Sequence, residues 1–334
     1  MKKYGKKKYR KAVVRAYAKI NLSLDVLGKR PDGYHEVDMV MQAVELYDRV
    51  TVEWADDAGA GGAENRGGRI AVTTNLPYLP INRDNIAYKA AELMAKEFKP
   101  EEPLEIRVHL EKHIPVAAGL AGGSANGAAV LRGLAKLWGL NLPLAELCRL
   151  GESLGADVPF CLWAQEGLAC ARATGLGTEL SPLPPLDCLV LLSKPPISVS
   201  TAKVYGGLRL EGIGADQRPD TEALMQGLRA AAREDRPRGQ EADGGIRQVA
   251  ANMKNLLETV TLKEFPRVLE TKKAMEDAAR TAREEGTEGA LAVMMSGSGP
   301  TIFGLYRDHE AAKEAYRIMK KMNKETYLRR TWLG

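Results

Sequence analysis

Only four cysteines and four histidines occur in 334 residues, and their scarcity and spacing remove several classes of protein. Cys148, Cys161, Cys170 and Cys188 stand at intervals of 13, 9 and 18 with no CxxC pair. Neither a zinc ribbon nor a disulfide scaffold is written here, and the four read as buried, reduced thiols of a cytoplasmic protein. His109 and His113 have the spacing that chelates zinc on a helix, but they fall in an alternating, strand-like stretch. Four residues of strand span about 13 Å, too far for one ion, so no metal ligand is assigned. Long apolar runs are missing too. The basic N-terminus is not followed by an apolar segment, since Arg15 and Lys19 interrupt it, so no signal peptide is expected. Residues 113–131 carry no Asp, Glu, Lys or Arg, yet Pro115, four glycines, Ser124 and Asn126 make them a loop entering a helix and not a membrane span. There is no Walker A loop, no GxGxxG and no internal repeat.

What is present is the composition of a globular protein, 45% apolar and 27% charged, with a length that predicts two domains at about 150 residues each. Seven basic residues and no acidic one lie in the first eleven positions; removing them from the net charge of +5 leaves −2. The basic sign belongs to a tail, and neither nucleic acid nor a membrane is an expected partner of the body.

Alternation of Val14, Ala16, Ala18, Ile20, Leu22, Leu24 and Val26 predicts a half-buried strand over 13–26, with Lys19 and Asn21 together on its other face. The segment GKRPDGYHEV then supplies turn chemistry through Pro31, Asp32 and Gly33. A second strand is expected over 47–54, a flexible hairpin tip over 56–68, a returning strand over 70–74, a helix over 82–98 and a strand over 105–112. Helices are read over 124–138 and 144–154, the latter ending in a left-handed cap at Gly155 with Pro159 blocking continuation. Pro-rich SPLPPLD marks a boundary within 178–187. Beyond it come a strand over 188–193 and helices near Thr201 and over 221–233, 246–257 and 267–284. Paired strands over 291–295 and 301–306, a helix over 310–322 and a last strand complete the chain. Residues 233–247 read as a solvated connection. The fold class is α+β, with domains 1–182 and 183–334.

Three glycine-rich or polar features carry chemistry, and one histidine stands beside them. PVAAGLAGGS, 115–124, joins a strand to a helix, where successive backbone N–H groups and the positive helix end form an anion cradle. SGSGP, 296–300, is a second glycine turn between strands, which by pattern alone is most often a plain hairpin. Lys19 in an apolar strand requires a partner, because burying a lone ammonium costs several kcal/mol, and Asp157 follows a helix cap, where a turn role is the common one. His35 follows a turn and Tyr34, a placement suited to reading a base edge beside an aromatic ring.

AYAKINLSLDVLGKRPDGYHEV, IPVAAGLAGGSANGAAVL, LGADVPF and SGSGPTIF together resemble the GHMP kinase superfamily in order and separation. Gly122-Gly123-Ser124, the Asp-Gly-Tyr-His turn and Gly-Ala-Asp-Val-Pro are similar to the branch that acts on a cytidylyl diphosphate of methylerythritol. The resemblance implies an N-terminal domain like domain 2 of ribosomal protein S5 and a ferredoxin-like C-terminal domain. It implies ATP as phosphoryl donor with Mg2+, and a metal ligand set that stays unknown. By the same resemblance Asp157 is the base, and Lys19 holds it ionised and offsets phosphoryl charge. Pro115, Val116, Ala117, Ala118, Gly119, Leu120, Ala121, Gly122, Gly123, Ser124 and Ala125 wrap the triphosphate, with Asn85 and Lys112 near the adenosine. Tyr34, His35 and Tyr205 hold the cytidine, Thr201 lies beside the diphosphate path, and Asn21 contacts the substrate or orients Lys19 and Asp157. Ala121 replaces the usual glycine of Gly-Leu-Gly, a change without cost if its φ is negative. A monomer or homodimer is expected. A kinase of another small alcohol, of homoserine or mevalonate type, and an RNA-binding S5-like module are the competing readings.

Overall fold

The computed structural model describes residues 9–55, 69–98, 105–232 and 242–334. Along them run β1 (Arg10–Lys29), β2 (His35–Ala55), β3 (Arg69–Thr74), α1 (Ile86–Phe98), β4 (Glu105–Glu111), α2 (Gly122–Trp138), α3 (Leu144–Glu152), α4 (Val158–Gln165), β5 (Cys170–Gly175), β6 (Glu179–Pro182) and β7 (Leu189–Lys194). There follow α5 (Thr201–Gly207), α6 (Thr221–Ala231), α7 (Ala242–Asn252), α8 (Glu258–Glu264), α9 (Pro266–Glu284), β8 (Ala292–Met295), β9 (Ile302–Tyr306), α10 (His309–Met322) and β10 (Glu325–Arg330). The architecture is α+β. Packing divides the chain into two units interleaved in sequence, a partition different from one cut at 182/183.

The first unit takes the described residues of Met1–Tyr17, Tyr47–Ile114 and Gly122–Gln165. Its logic is period two. Val50, Val52 and Trp54 of β2 stand opposite Leu110, Val108 and Ile106 of antiparallel β4, so six apolar side chains share one buried face. Each contributes about 1.5–3 kcal/mol on burial. Helix α2 lies close on this face at Gly133, where a Cβ would stand 2.8 Å from Val52 Cγ2. Strand β3 pairs parallel with β4, and β4 stands between it and β2. The expected return as a hairpin beside β2 is therefore incorrect; its tip, 56–68, lies outside the described residues.

The second unit takes Ala18–Leu46, Pro115–Ala121 and Glu166–Gly334. The early part of β2 pairs with β5, from Val37↔Gly175 to Gln42↔Cys170, and β6 follows on β5. A separate antiparallel sheet has the order β10-β7-β9-β8, and α9 and α10 pack against it. Buried Gln42 ties the two sheets of this unit together: its Nε2 donates to Trp332 O at 2.8 Å and its Oε1 accepts Leu186 N–H at 3.0 Å.

Several expectations change for identifiable reasons. Residues 16–26 of β1 and 39–44 of β2 are buried on both faces, so β1 is not half-buried there and β2, lacking alternation, starts at His35 and not Tyr47. α1 begins at Ile86 because Asn82–Asn85 form a turn, in which Asn82 O accepts Asn85 N–H at 3.0 Å. Gly155 closes α3 with φ +158°, which is not a left-handed cap. Pro159 ends nothing further: it sits in the first turn of α4, where its missing N–H costs no bond. The helix expected over 246–257 stops at Asn252, and α8 starts separately at Glu258. Of the connection read over 233–247, residues 233–241 lie outside the described residues, and the rest opens α7. All four cysteines are buried thiols; burial pushes Cys148 up to about 11 and Cys188 up to about 12.

Candidate active site

Strand parity brings Lys19 to its place. Lys19, Asn21, Ser23 and Asp25 succeed one another on one face of β1, and all are buried, Lys19 to 4% exposure. Lys19 Nζ donates to Asn21 Oδ1 at 2.9 Å, which is the kind of partner a buried ammonium requires. The Lys19 backbone N–H donates to Leu120 O at 3.2 Å, so the strand and the first glycine loop are fastened at this residue. Asn21 Oδ1 also accepts the Gly297 N–H at 3.1 Å, while its Nδ2 donates to Met39 Sδ at 3.2 Å. One carboxamide oxygen thus joins the lysine to the second glycine loop.

The two loops touch directly. Ser296 Oγ donates to Gly119 O at 2.9 Å. Gly119 has φ +73°, and a Cβ there would overlap the Ser296 carbonyl oxygen. Ala117 and Ala121 are left-handed as well, at φ +49° and +57°. The negative φ that would make a Cβ at 121 harmless is absent; each alanine carries a cost of roughly 1–2 kcal/mol. Thr201 and Ser298 hydroxyls meet at 2.8 Å, which docks the start of α5 on the second loop. One turn on, the Tyr205 ring lies 5.1 Å from the His35 ring at 41°. His35 opens β2 directly after a turn in which Asp32 Oδ1 accepts Tyr34 N–H at 3.1 Å and Gly33 has φ +88°. Burial, and secondly the Lys29 charge, hold the His35 imidazole below the usual histidine range. Tyr34 is 67% exposed. Pro115, Val116, Ala117, Ala118, Gly119, Leu120, Ala121, Lys19, Asn21, Tyr34, His35, Thr201 and Tyr205 are all members of the second unit.

Gly122, Gly123, Ser124, Ala125, Asn85, Lys112 and Asp157 belong to the first unit. Gly122–Ala125 form the first turn of α2, a 17-residue helix with no acidic side chain in that turn. Its leading N–H groups and positive end suit an anion. Asp157 immediately precedes α4, half-buried, and its carbonyl accepts Cys161 N–H at 3.1 Å. Asn85 Oδ1 accepts Ala87 N–H at 2.9 Å and its Nδ2 donates to Pro80 O at 2.8 Å, fixing the entry to α1. Lys112 is buried against Asp48, with Asn126 Oδ1 at 2.9 Å. The sequence assigns no site role to Asp48 or Asn126. The signal for Asp48 was available: it shares parity with Val50, Val52 and Trp54 and so belongs to the buried face. Among the described residues no three His, Cys, Asp or Glu side chains cluster to hold a metal.

The sequence matches the model of the GHMP kinases N terminal domain over residues 85–165 and that of GHMP kinases C terminal over residues 228–325. It is similar to a 4-diphosphocytidyl-2-C-methyl-D-erythritol kinase of Alkaliphilus metalliredigens, at 41% identity over 325 residues, 96% of this chain and 98% of the relative. The chain belongs to the 4-diphosphocytidyl-2-C-methyl-D-erythritol kinase family of GHMP kinases. A member of this kinase family from Geobacillus kaustophilus is 42% identical, covering 92% of each chain. The crystal structure of a 4-(cytidine 5'-diphospho)-2C-methyl-D-erythritol kinase matches with TM-score 0.70 at 30% identity, over 97% of this chain and 100% of that one. Homoserine kinase from Cytophaga hutchinsonii matches with TM-score 0.67 at 21% identity, covering 100% of this chain and 98% of that chain, and shows the shared fold alone.

Proposed function

We infer that the protein is an ATP-dependent kinase that phosphorylates the 2-hydroxyl of 4-diphosphocytidyl-2-C-methyl-D-erythritol, giving the 2-phosphate and ADP in the non-mevalonate route to isoprenoid precursors. The observation that carries this reading is near-full-length identity of about 40% to kinases of that name. The Lys19–Asn21 pair, bonded to one glycine loop through Gly297 and to the other through Leu120, supports it chemically.

Phosphoryl transfer asks a protein mainly for alignment and charge stabilisation. The backbone of residues 115–125 wraps the triphosphate, using N–H donors that do not depend on side-chain identity, and Asn85 and Lys112 border the adenosine. Lys19 offsets charge on the phosphoryl group and keeps Asp157 ionised. Asp157 accepts the proton of the attacking hydroxyl. Asn21 orients Lys19 toward substrate. His35, neutral at pH 7, reads the cytosine edge, Tyr205 and Tyr34 flank the base, and Thr201 lines the diphosphate path. Mg2+ bound with ATP would supply neutralisation of the phosphate charge, held largely by phosphate oxygens and water. The protein works in the cytoplasm, a placement supported by its buried thiols; no helix among the described residues is long and apolar enough to cross a membrane.

Coupled ADP release with the cytidylyl substrate tests the reading against homoserine and mevalonate as alternative acceptors. Asp157→Asn is expected to lower kcat by about 10²–10⁴ while the fold is retained. Near-normal turnover by that variant would remove Asp157 as the base, and turnover of homoserine or mevalonate alone would replace the substrate.

A further inference from the structure

The Ser296–Gly299 turn owes its shape to a segment that the roles above leave unused, Asn255 to Thr261. Asn255 is 4% exposed, and its Nδ2 donates twice into the turn, to Met295 O at 2.8 Å and to Gly297 O at 2.7 Å. Its Oδ1 accepts Leu257 N–H at 3.0 Å. Glu258 Oε1 accepts Met295 N–H at 2.7 Å, and Thr261 Oγ1 donates to Ser298 O at 3.2 Å. The same segment runs beside the strand that carries Lys19: Leu24 N–H donates to Lys254 O and Leu256 N–H to Leu24 O, both at 2.9 Å. One short stretch therefore sets both the position of β1 and the course of the second glycine turn.

The peptide groups decide what this does. The Gly297 N–H belongs to the peptide between residues 296 and 297, and that peptide lies between the two whose carbonyls Asn255 grips. With Met295 O and Gly297 O both held, the intervening N–H is aimed in one direction, onto Asn21 Oδ1. That oxygen in turn holds Lys19 Nζ. An aspartate at 255 would keep the volume but set carboxylate oxygens against two carbonyl oxygens, so the role requires an amide.

We propose that Asn255 is a positioning residue for phosphoryl transfer, which grips the Met295 and Gly297 carbonyls so that the Gly297 N–H fixes Asn21 and, through it, the Lys19 ammonium. The proposal rests on the kinase reading given above. It goes beyond that reading by assigning a buried residue without substrate contact to the catalytic rate.

The test is a double-mutant cycle of Asn255→Ala and Asn21→Ala, assayed by ADP release well below the melting temperature of each variant. Asn255→Ala is expected to lower kcat about tenfold or more with KM for ATP and alcohol changed less than about threefold, and to lower it less than about twofold once Asn21 is already alanine. Equal losses in both backgrounds would mean a merely structural asparagine and overturn the proposal. Should Asn255→Ala fail to fold, Asn255→Asp replaces it: kcat reduced to the same degree is expected, and wild-type kcat overturns the role. A wild-type enzyme inactive on the cytidylyl substrate but active on another alcohol would refute the substrate assignment alone, and the same cycle run with that alcohol would still decide the role of Asn255.

Discussion

Replacing Asp48 with asparagine leaves the side-chain volume unchanged and inverts half of its hydrogen bonding. The Asp48 side chain is fully buried, and both of its oxygens face donors. Oδ1 accepts His113 N–H at 2.6 Å and Ile114 N–H at 2.8 Å; Oδ2 accepts Asn126 Nδ2 at 2.9 Å and the Lys112 ammonium. An amide turned either way would place its NH2 against two donors. Turned toward Lys112, it leaves a cationic side chain only 5% exposed, with Asn126 Oδ1 still accepting from it at 2.9 Å. Breaking a buried pair by neutralising one partner costs about 3–5 kcal/mol, a large share of a typical stability of about 5–15 kcal/mol. The loss has a direction in function as well, since residues 112–114 and Asn126 flank the 115–125 loop in sequence. Urea unfolding followed by far-UV circular dichroism measures the effect as a drop in midpoint at constant slope. Lys112→Met added to Asp48→Asn removes the orphaned cation and should recover about 1 kcal/mol or more, a coupling that distant sites do not show. An Asp48→Asn protein within about 1 kcal/mol of wild type, or strict additivity with Lys112→Met, would refute the reasoning.

Two substitutions in the first loop should act in opposite directions. Ala121→Gly relieves a left-handed alanine and should stabilise the protein by about 0.5–1 kcal/mol after the extra freedom of glycine in the unfolded chain, read as a raised urea midpoint. Gly119→Ala drives a Cβ into the Ser296 carbonyl and should abolish turnover by separating the two loops; a fully active variant would show that they need not touch. The His35 imidazole should titrate below the ordinary histidine value of 6.5 in carbon NMR, and Lys29→Met should move its midpoint upward, because the Lys29 charge is one of the two causes of the depression. Its folded midpoint being depressed, the stability it contributes is present above pH 6.5 and lost as pH falls through that midpoint. An unshifted midpoint would refute the burial argument.

Much of the site was legible because it follows from parity and from backbone chemistry. Lys19 and Asn21 two residues apart on an apolar strand had to share a face, and the two glycine loops announce close backbone approach without any side chain. The extent of β2 was not legible. Residues 39–44 are buried on both sides, so the alternation that marks a strand is absent just where the strand is most enclosed. Pro159 misled for a similar reason: the same residue that ends one helix is tolerated in the first turn of the next, and only the chain's path tells which applies.

The sequence by itself determined the α+β class, the loops and the kinase family, since these depend on local periodicity, glycine freedom and motif order. The tertiary structure alone decided what the polar core residues do. Asn255 reads as an ordinary residue before a helix until folding sets it against the turn at 295–297, forty residues away in sequence. Asp48 and Lys112 are likewise paired across 64 positions. A buried polar group is explained only by its partners, and partners brought together by long-range packing leave no local pattern in the chain.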